Sequence, residues 1–208
     1  MHSIKEIYNS KLANRYDFSM PPVFKWWKKK AFIDLALQAG DKVVVFCCGT
    51  GLDFPYILEH IGEEGQIVGI DFSQEMLDLA QRKVDDHQWK NVTLIHADVT
   101  QPLSMGNMFD AGVCTLGMSI IPEYEKAYTN LLSLVKPSGK ILVGDMQLAS
   151  GWKSVFNPLT VFMAKKFGGT HEGHENIVKL QKLMQSSLKN TLTKKYFFDS
   201  YAYTKGMV

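Results

Sequence analysis

The stretch Val43–Phe54, VVVFCCGTGLDF, decides how this chain folds. An apolar, β-branched run enters a Gly-Thr-Gly turn, and a segment of helical period follows. Passing from a buried strand through glycines into a helix builds the first crossover of an open α/β sheet. Ligands of such sheets sit at the carboxyl ends of the strands, near the point where the strand order reverses. Glycines are required there because the chain turns sharply and lets a ligand touch its backbone. Two residues depart from the pattern: Val45 and Cys47 stand where such a turn usually carries an acid and a glycine.

The same rhythm runs outward from this turn. KVVVFC (42–47) reads as the first strand, and FPYILEHI (54–61) as a helix stopped by Gly62. QIVGID (66–71) is a second strand. Ser73 caps the next helix, with Glu75 in its first turn and Met76, Leu79, Ala80 and Val84 on one face. NVTLIHAD (91–98) and FDAGVCTL (109–116) are the third and fourth strands. Pro122 opens a helix with Tyr124, Ala127, Tyr128, Leu131 and Leu134 on its apolar face. KPSG (136–139) is a turn, and KILVGDMQ (140–147) a fifth strand. Strands apolar throughout, alternating with helices, imply a parallel sheet covered on both faces. Residues 1–18 and 22–39 read as two helices parted at Pro21-Pro22. Residues 150–190 read as two more, joined through Gly168-Gly169, and a closing strand pair follows. The expected fold is α/β: a Rossmann-like, doubly wound, mostly parallel seven-stranded sheet in one domain, 1–208. It has a helical N-terminal cover (1–40) and a helical insertion (150–190) before the last two strands.

A chain of 208 residues, 46% hydrophobic and 21% charged, has room for a full core. No apolar run reaches the ~18 residues a membrane span needs, and the first residues lack the apolar heart of a signal peptide. Three cysteines, two adjacent, fit buried thiols rather than a disulfide framework or a metal site. A cytoplasmic protein is expected, with peripheral membrane contact left open. The net charge of +2 hides a division: residues 1–40 carry +4, residues 41–149 carry −8 and residues 150–195 carry +6. Solvated lysine faces are the ordinary account. The sharper one is two basic segments facing an anionic substrate or headgroup layer.

Three strand ends carry chemistry. Gly49-Thr50-Gly51 follows the first strand. Asp71 ends the second, where a carboxylate accepts two hydrogen bonds from a ribose diol. Asp98 ends the third, where an acceptor takes an amino group such as that of adenine. A nicotinamide dinucleotide would use Asp71 the same way, but its G-x-G-x-x-G fingerprint needs a glycine where Phe54 stands.

With those residues in view, the segment from Val43 to Asp145 resembles the class I S-adenosylmethionine (SAM)-dependent methyltransferases. It is most similar to the ubiquinone/menaquinone-biosynthesis group and its small-molecule and phospholipid methyltransferase relatives. The resemblance implies that Cys48, Gly49, Thr50 and Gly51 wrap the methionine part of SAM and that Asp71 holds the ribose. It places Phe72 and Met76 near the adenine, and Asp98 and Val99 at its amino group. It puts Thr115 under the sulfonium and Tyr16 in a cover over the cofactor. The family's first-strand acid aligns with Val45 and its first glycine with Cys47, a replacement tolerable at negative φ. Asp53 is the nearest carboxylate to replace the acid, and it equally well complements the helix dipole. The activity implied is methyl transfer to a small or lipidic acceptor, of quinone type. Alternatives are a phospholipid-headgroup amine and a SAM-binding protein without transfer. The product would be S-adenosylhomocysteine, and no metal is implied.

Nucleic acid is not expected as a substrate, because TLGM follows the fourth strand in place of an Asn/Asp-Pro-Pro-Tyr-type segment. His171 and His174 read as part of a loop, with a general base as the sharper alternative. His96 reads as a satisfied core residue. Trp26, Trp27 and Trp152 read mostly as packing. KWWKKK reads as a helix with a buried tryptophan and solvated lysines, or as a membrane-surface contact.

Overall fold

A computed structural model describes residues 22–105, 108–165 and 167–208. Seven strands form one sheet: β1 (Lys42–Phe46), β2 (Gln66–Asp71), β3 (Val92–His96), β4 (Phe109–Thr115), β5 (Val135–Met146), β6 (Lys189–Tyr196) and β7 (Tyr201–Met207). Their order is β3-β2-β1-β4-β5-β7-β6. The first five are parallel, and β7 runs antiparallel to both β5 and β6. The chain moves outward from β1 to β3, then returns to lay β4 on the other side of β1. The reversal opens a crevice at the carboxyl ends of β1 and β4, where such sheets bind ligands.

Helices α1 (Pro22–Leu35), α2 (Phe54–Ile61), α3 (Gln74–Asp86), α4 (Tyr124–Leu134), α5 (Asn157–Lys165) and α6 (His171–Ser187) are described. One core layer packs α1, α2 and α3 on the sheet through residues such as Trp27, Phe32, Phe54 and Leu77. The opposite layer packs α4 and α6 through Tyr128, Leu131, Leu180 and Met184.

Several boundaries differ from the sequence reading. α1 ends at Leu35 rather than 39, where Ala36 takes a left-handed φ of 55°. β3 stops at His96, because the Asp98 side chain bonds the chain into a turn of its own. α4 starts at Tyr124, after a 3-10 turn at Met118–Ile120. Leu77, not Leu79, is a buried residue of α3. The turn expected at 136–139 is an irregularity inside β5: Val135 pairs with Phe109, and the register shifts before Lys140 pairs with Ala111. The loop expected around His171 is the first turn of α6, capped by Thr170, whose hydroxyl accepts the Gly173 N–H at 2.9 Å.

α1 is tied to the far side of the sheet by Asp34. Its Oδ2 accepts the Tyr203 hydroxyl at 2.5 Å and lies 2.6 Å from Lys194 Nζ. Partial burial raises the Asp34 pKa, but Lys194 and Tyr203 outweigh it and hold the group below its ordinary value. A carboxyl depressed in the folded state adds stability that is present at neutral pH and disappears as pH falls through the folded value. Asp34→Asn is therefore expected to cost about 1 kcal/mol at pH 7, discounted for the exposed lysine. It should also flatten the stability profile below pH ~4, read by urea titration at several pH values.

Candidate functional site

The chain leaves β1 through a run of left-handed residues: Cys47 (φ 52°), Gly49 (φ 54°) and Gly51 (φ 74°). The negative φ expected at Cys47 is thus corrected. A left-handed non-glycine residue costs about 1–2 kcal/mol. Close packing holds it there, since a Cβ added to Gly117 would lie 2.5 Å from the Cys47 Cβ. The Cys114 thiol, through its hydrogen bond, and burial push the Cys47 thiol well up, so it remains protonated. All three cysteines are free.

Asp71 braces the turn. Its Oδ2 accepts the Gly49 N–H at 2.8 Å, and its Oδ1 accepts the Ser73 N–H at 3.0 Å. Burial raises its pKa, while those backbone donors and Phe72 oppose the rise. Ser73 in turn caps α3, accepting the Met76 N–H. A carboxylate has about four acceptor sites, so these backbone donors leave room for a ligand's hydroxyl. A Cβ built on Gly49 meets nothing within 4 Å, so this turn borders open space.

The other sequence-predicted residues divide. Asp98 is exposed, and its Oδ1 accepts both the N–H and the hydroxyl of Thr100 at 2.9 and 2.7 Å. Val99 is buried and its carbonyl accepts Asn130 Nδ2 at 2.8 Å. Met76 is buried and Phe72 half-buried. The Phe72 carbonyl lies 2.8 Å from His96 Nε2, so His96 is an exposed, hydrogen-bonded residue rather than a core one. Cys48 and Thr50 are buried in the turn. Tyr16 lies outside the described residues.

Asp53 has company that the sequence reading missed. It precedes α2 without capping it by side chain. Its Oδ2 accepts the Thr115 hydroxyl at 2.5 Å, and its Oδ1 lies 2.9 Å from Lys28 Nζ, at ion-pair distance but off the hydrogen-bonding direction. Lys28 is only 6% exposed, against the expectation of a solvated lysine. The missed signal was its spacing: Lys28 falls four residues from both Phe24 and Phe32, on the buried stripe of α1. Val45, in the family acid's place, is wholly buried in the apolar core.

A second polar cluster lies at the carboxyl ends of β4 and β5. Asp145 accepts the Ser119 N–H (2.9 Å), the Ser119 hydroxyl (2.8 Å) and the Met146 N–H (2.7 Å). Burial nonetheless pushes its carboxyl up to about 6. Gln181 donates to Gln147 at 2.6 Å, and Gln147 donates to the Asp199 carbonyl at 2.8 Å. His174 is fully buried, neither ring nitrogen is hydrogen-bonded, and burial lowers its pKa. Asp145 was legible by the logic applied to Asp71, an acid at the end of a buried strand.

The sheet order and the glycine turn at its switch point define the methyltransferase class of α/β fold. A SAM-dependent methyltransferase from Aquifex aeolicus superposes with a TM-score of 0.70 at 17% identity over the whole of both chains. Phosphoethanolamine N-methyltransferase 2 of Haemonchus contortus, solved with SAM, gives 0.77 at 13% identity, covering all of this chain and 60% of that one. The model of the ubiE/COQ5 methyltransferase family matches residues 2–151, and the chain belongs to that family. Demethylmenaquinone methyltransferase of Listeria welshimeri is 31% identical over 144 residues, 68% of this chain and 61% of that protein. The Bacillus cereus protein of the same name is 30% identical over 136 residues, 64% of this chain and 57% of that one. The chain thus spans about three fifths of the length of these relatives.

Two expectations follow from the buried charges. Lys28→Met leaves Asp53 without its cation and should cost about 3–5 kcal/mol, while Lys28→Met/Asp53→Asn should recover most of that loss in urea titrations. The Asp145 carboxyl should titrate near pH 6 in carboxyl-carbon NMR. Because its folded pKa is raised, its contribution to stability falls as pH climbs from ~4 to 6, opposite in sign to that of Asp34. Asp145→Asn should remove that slope.

Proposed function

We propose that this chain binds SAM at the switch-point crevice and methylates a small apolar acceptor of quinone type. The observation carrying the reading is the Gly49–Gly51 turn, braced by Asp71 and bordered by open space, in a member of the ubiE/COQ5 family. Residues 1–208 form one domain on this reading. Cys48, Gly49, Thr50 and Gly51 take the methionine part, and Asp71 the ribose hydroxyls. Phe72 and Met76 flank the adenine, Asp98 and Val99 meet its amino group, and Thr115 lines the floor toward the acceptor. Tyr16 closes the cover. SAM supplies an activated methyl group on sulfur, so the protein's work is alignment of the acceptor and exclusion of water. The quinone-type acceptor comes from the relatives named demethylmenaquinone methyltransferase.

The Lys28–Asp53 pair bears on how the cofactor's ammonium is held. Asp53 is the nearest acid, yet its charge is already balanced by Lys28. Asp53 on this reading anchors α1 over the turn and contributes little direct affinity. A second reading, a SAM-binding protein without methyl transfer, is separated from the first by turnover rather than by this pair.

Calorimetry with S-adenosylhomocysteine should give binding, and NAD none. Asp71→Ala should weaken the former by about 1.5–3 kcal/mol, the range for hydrogen bonds to a charged group. Asp53→Asn should weaken it less. Turnover of SAM with reduced demethylmenaquinone, and not with phosphoethanolamine, is the expected result. Turnover with the amine alone would replace the acceptor class, and cofactor binding with neither turnover would favour the second reading.

A further inference from the structure

The molecule exposes an apolar surface that its fold does not use. Beyond β5, the 3-10 segment Gly151–Phe156 and helix α5 present Trp152 at 73%, Val155 at 70% and Phe162 at 76% exposure. Soluble proteins scatter single apolar residues over their surfaces, but a connected group of large ones marks an interaction site. Trp152 and Val155 lie in the same 3-10 segment as Phe156, whose ring stacks on Phe198 at 4.2 Å, and Phe198 meets Phe197 at 5.9 Å; Phe197 and Phe198 are themselves exposed. Phe197 meets Trp27 at 6.2 Å, beside the half-exposed Trp26. An aromatic path therefore runs from the 3-10 segment that leads into α5, across the β6–β7 turn, to α1. It lies at the carboxyl edge of the sheet, since Tyr201, after that turn, pairs with Met146 at the end of β5.

Its charge is one-sided. Residues 22–33 and 150–170 contain no acid. Lys25, Lys29, Lys30, Lys165 and Lys195 are exposed around it. Asp199, at the β6–β7 turn, is already paired with Lys153 at 2.9 Å. Among the described residues no helix is long and apolar enough to cross a membrane. Tryptophan and phenylalanine rimmed by lysines, with the nearby Asp34 and Asp199 already paired to Lys194 and Lys153, match the boundary between headgroups and acyl chains.

We propose that this surface is the face by which the protein lies on an anionic phospholipid bilayer, with Trp152, Val155 and Phe162 entering the acyl boundary and the lysines meeting the headgroups. The structure of the surface stands whatever the reaction. Only the corollary, that a bilayer-resident acceptor reaches the crevice from this side, rests on the quinone-type reading.

The test is cosedimentation of the full chain with phosphatidylcholine vesicles, with and without 30 mol% phosphatidylglycerol (roughly the anionic content that sets a strong surface potential), at low and high salt. Wild type should bind anionic vesicles at least about ten-fold more tightly than neutral ones at low salt. The difference should shrink as salt rises, because surface charges are screened. Trp152→Ser/Val155→Ser/Phe162→Ser should lose about ten-fold or more at both salts. Lys25→Gln/Lys29→Gln/Lys30→Gln should lose affinity mainly at low salt. Lys28 is left untouched because it is buried in the Asp53 pair. Circular dichroism melts of both variants should match wild type, since these side chains pack on little.

Absence of vesicle binding by wild type, or equal binding by the apolar variant, would overturn the proposal. So would concentration-dependent dimerisation that the apolar variant abolishes without any vesicle binding, because the occupant would then be a second copy. Calorimetry with S-adenosylhomocysteine on the same samples separates the two readings: cofactor binding without vesicle binding sinks only this surface, and the reverse sinks only the cofactor assignment.

Discussion

The Lys28–Asp53–Thr115 contact is the constraint around which the candidate site is arranged. It ties together by polar contact three elements that otherwise meet through apolar packing: α1, the start of α2 just past the glycine turn, and the carboxyl end of β4. Buried ion pairs add little net stability over an apolar replacement, but they are costly to break, because the partner left behind is an unpaired charge. The contact therefore acts as a registration device. α1 can sit in one place over the turn, the one that puts Lys28 at Asp53. The rest of its buried face, from Phe24 to Leu35, packs where that position allows.

The same contact makes sense of Val45. With a valine in the first strand, β1 is apolar on both faces and the sheet centre is dry. A carboxylate at Val45 would bring a third acid into a region where Asp53 and Asp71 are already buried. Having one acid answered by an internal lysine, and the other by backbone N–H groups, keeps that crowding affordable. Cys47 shows the remaining tension: a left-handed backbone that a glycine would take freely is imposed on a side chain wedged against Gly117 and Cys114.

Much of this was legible in the sequence. The five parallel strands, the closing pair and the glycine turn follow from apolar runs and their punctuation, because strands covered on both faces need continuous apolar runs. Asp71 was picked out as an acid ending the second strand, and its carboxylate accepts the Gly49 N–H of the glycine turn. Asp53 was noticed, but its partner was not. A lysine within WWKKK reads as solvent-facing unless its phase on the helix is counted against Phe24 and Phe32. The short β3 and the irregular start of β5 were not legible, since both depend on local bonds, Asp98 to Thr100 and the shifted pairing after Phe109, that leave no trace in the apolar pattern. Nor was the exposure of Trp152: nothing in its neighbours distinguishes a tryptophan that packs from one that faces outward.

On the proposed function, the adenosyl cofactor binds at the ends of β1, β2 and β4, beside the turn that Asp71 holds and the α1 helix that Lys28 ties down. Nitrogen–proton correlation NMR during titration with S-adenosylhomocysteine tests it most directly. The amides of Gly49, Thr50, Gly51, Phe72 and Val99 should shift or broaden together, saturating at one affinity, while amides of β6 stay in place. Saturable binding that leaves the Gly49–Gly51 and Phe72 amides unmoved would contradict the account, because the ligand would then sit elsewhere on the molecule.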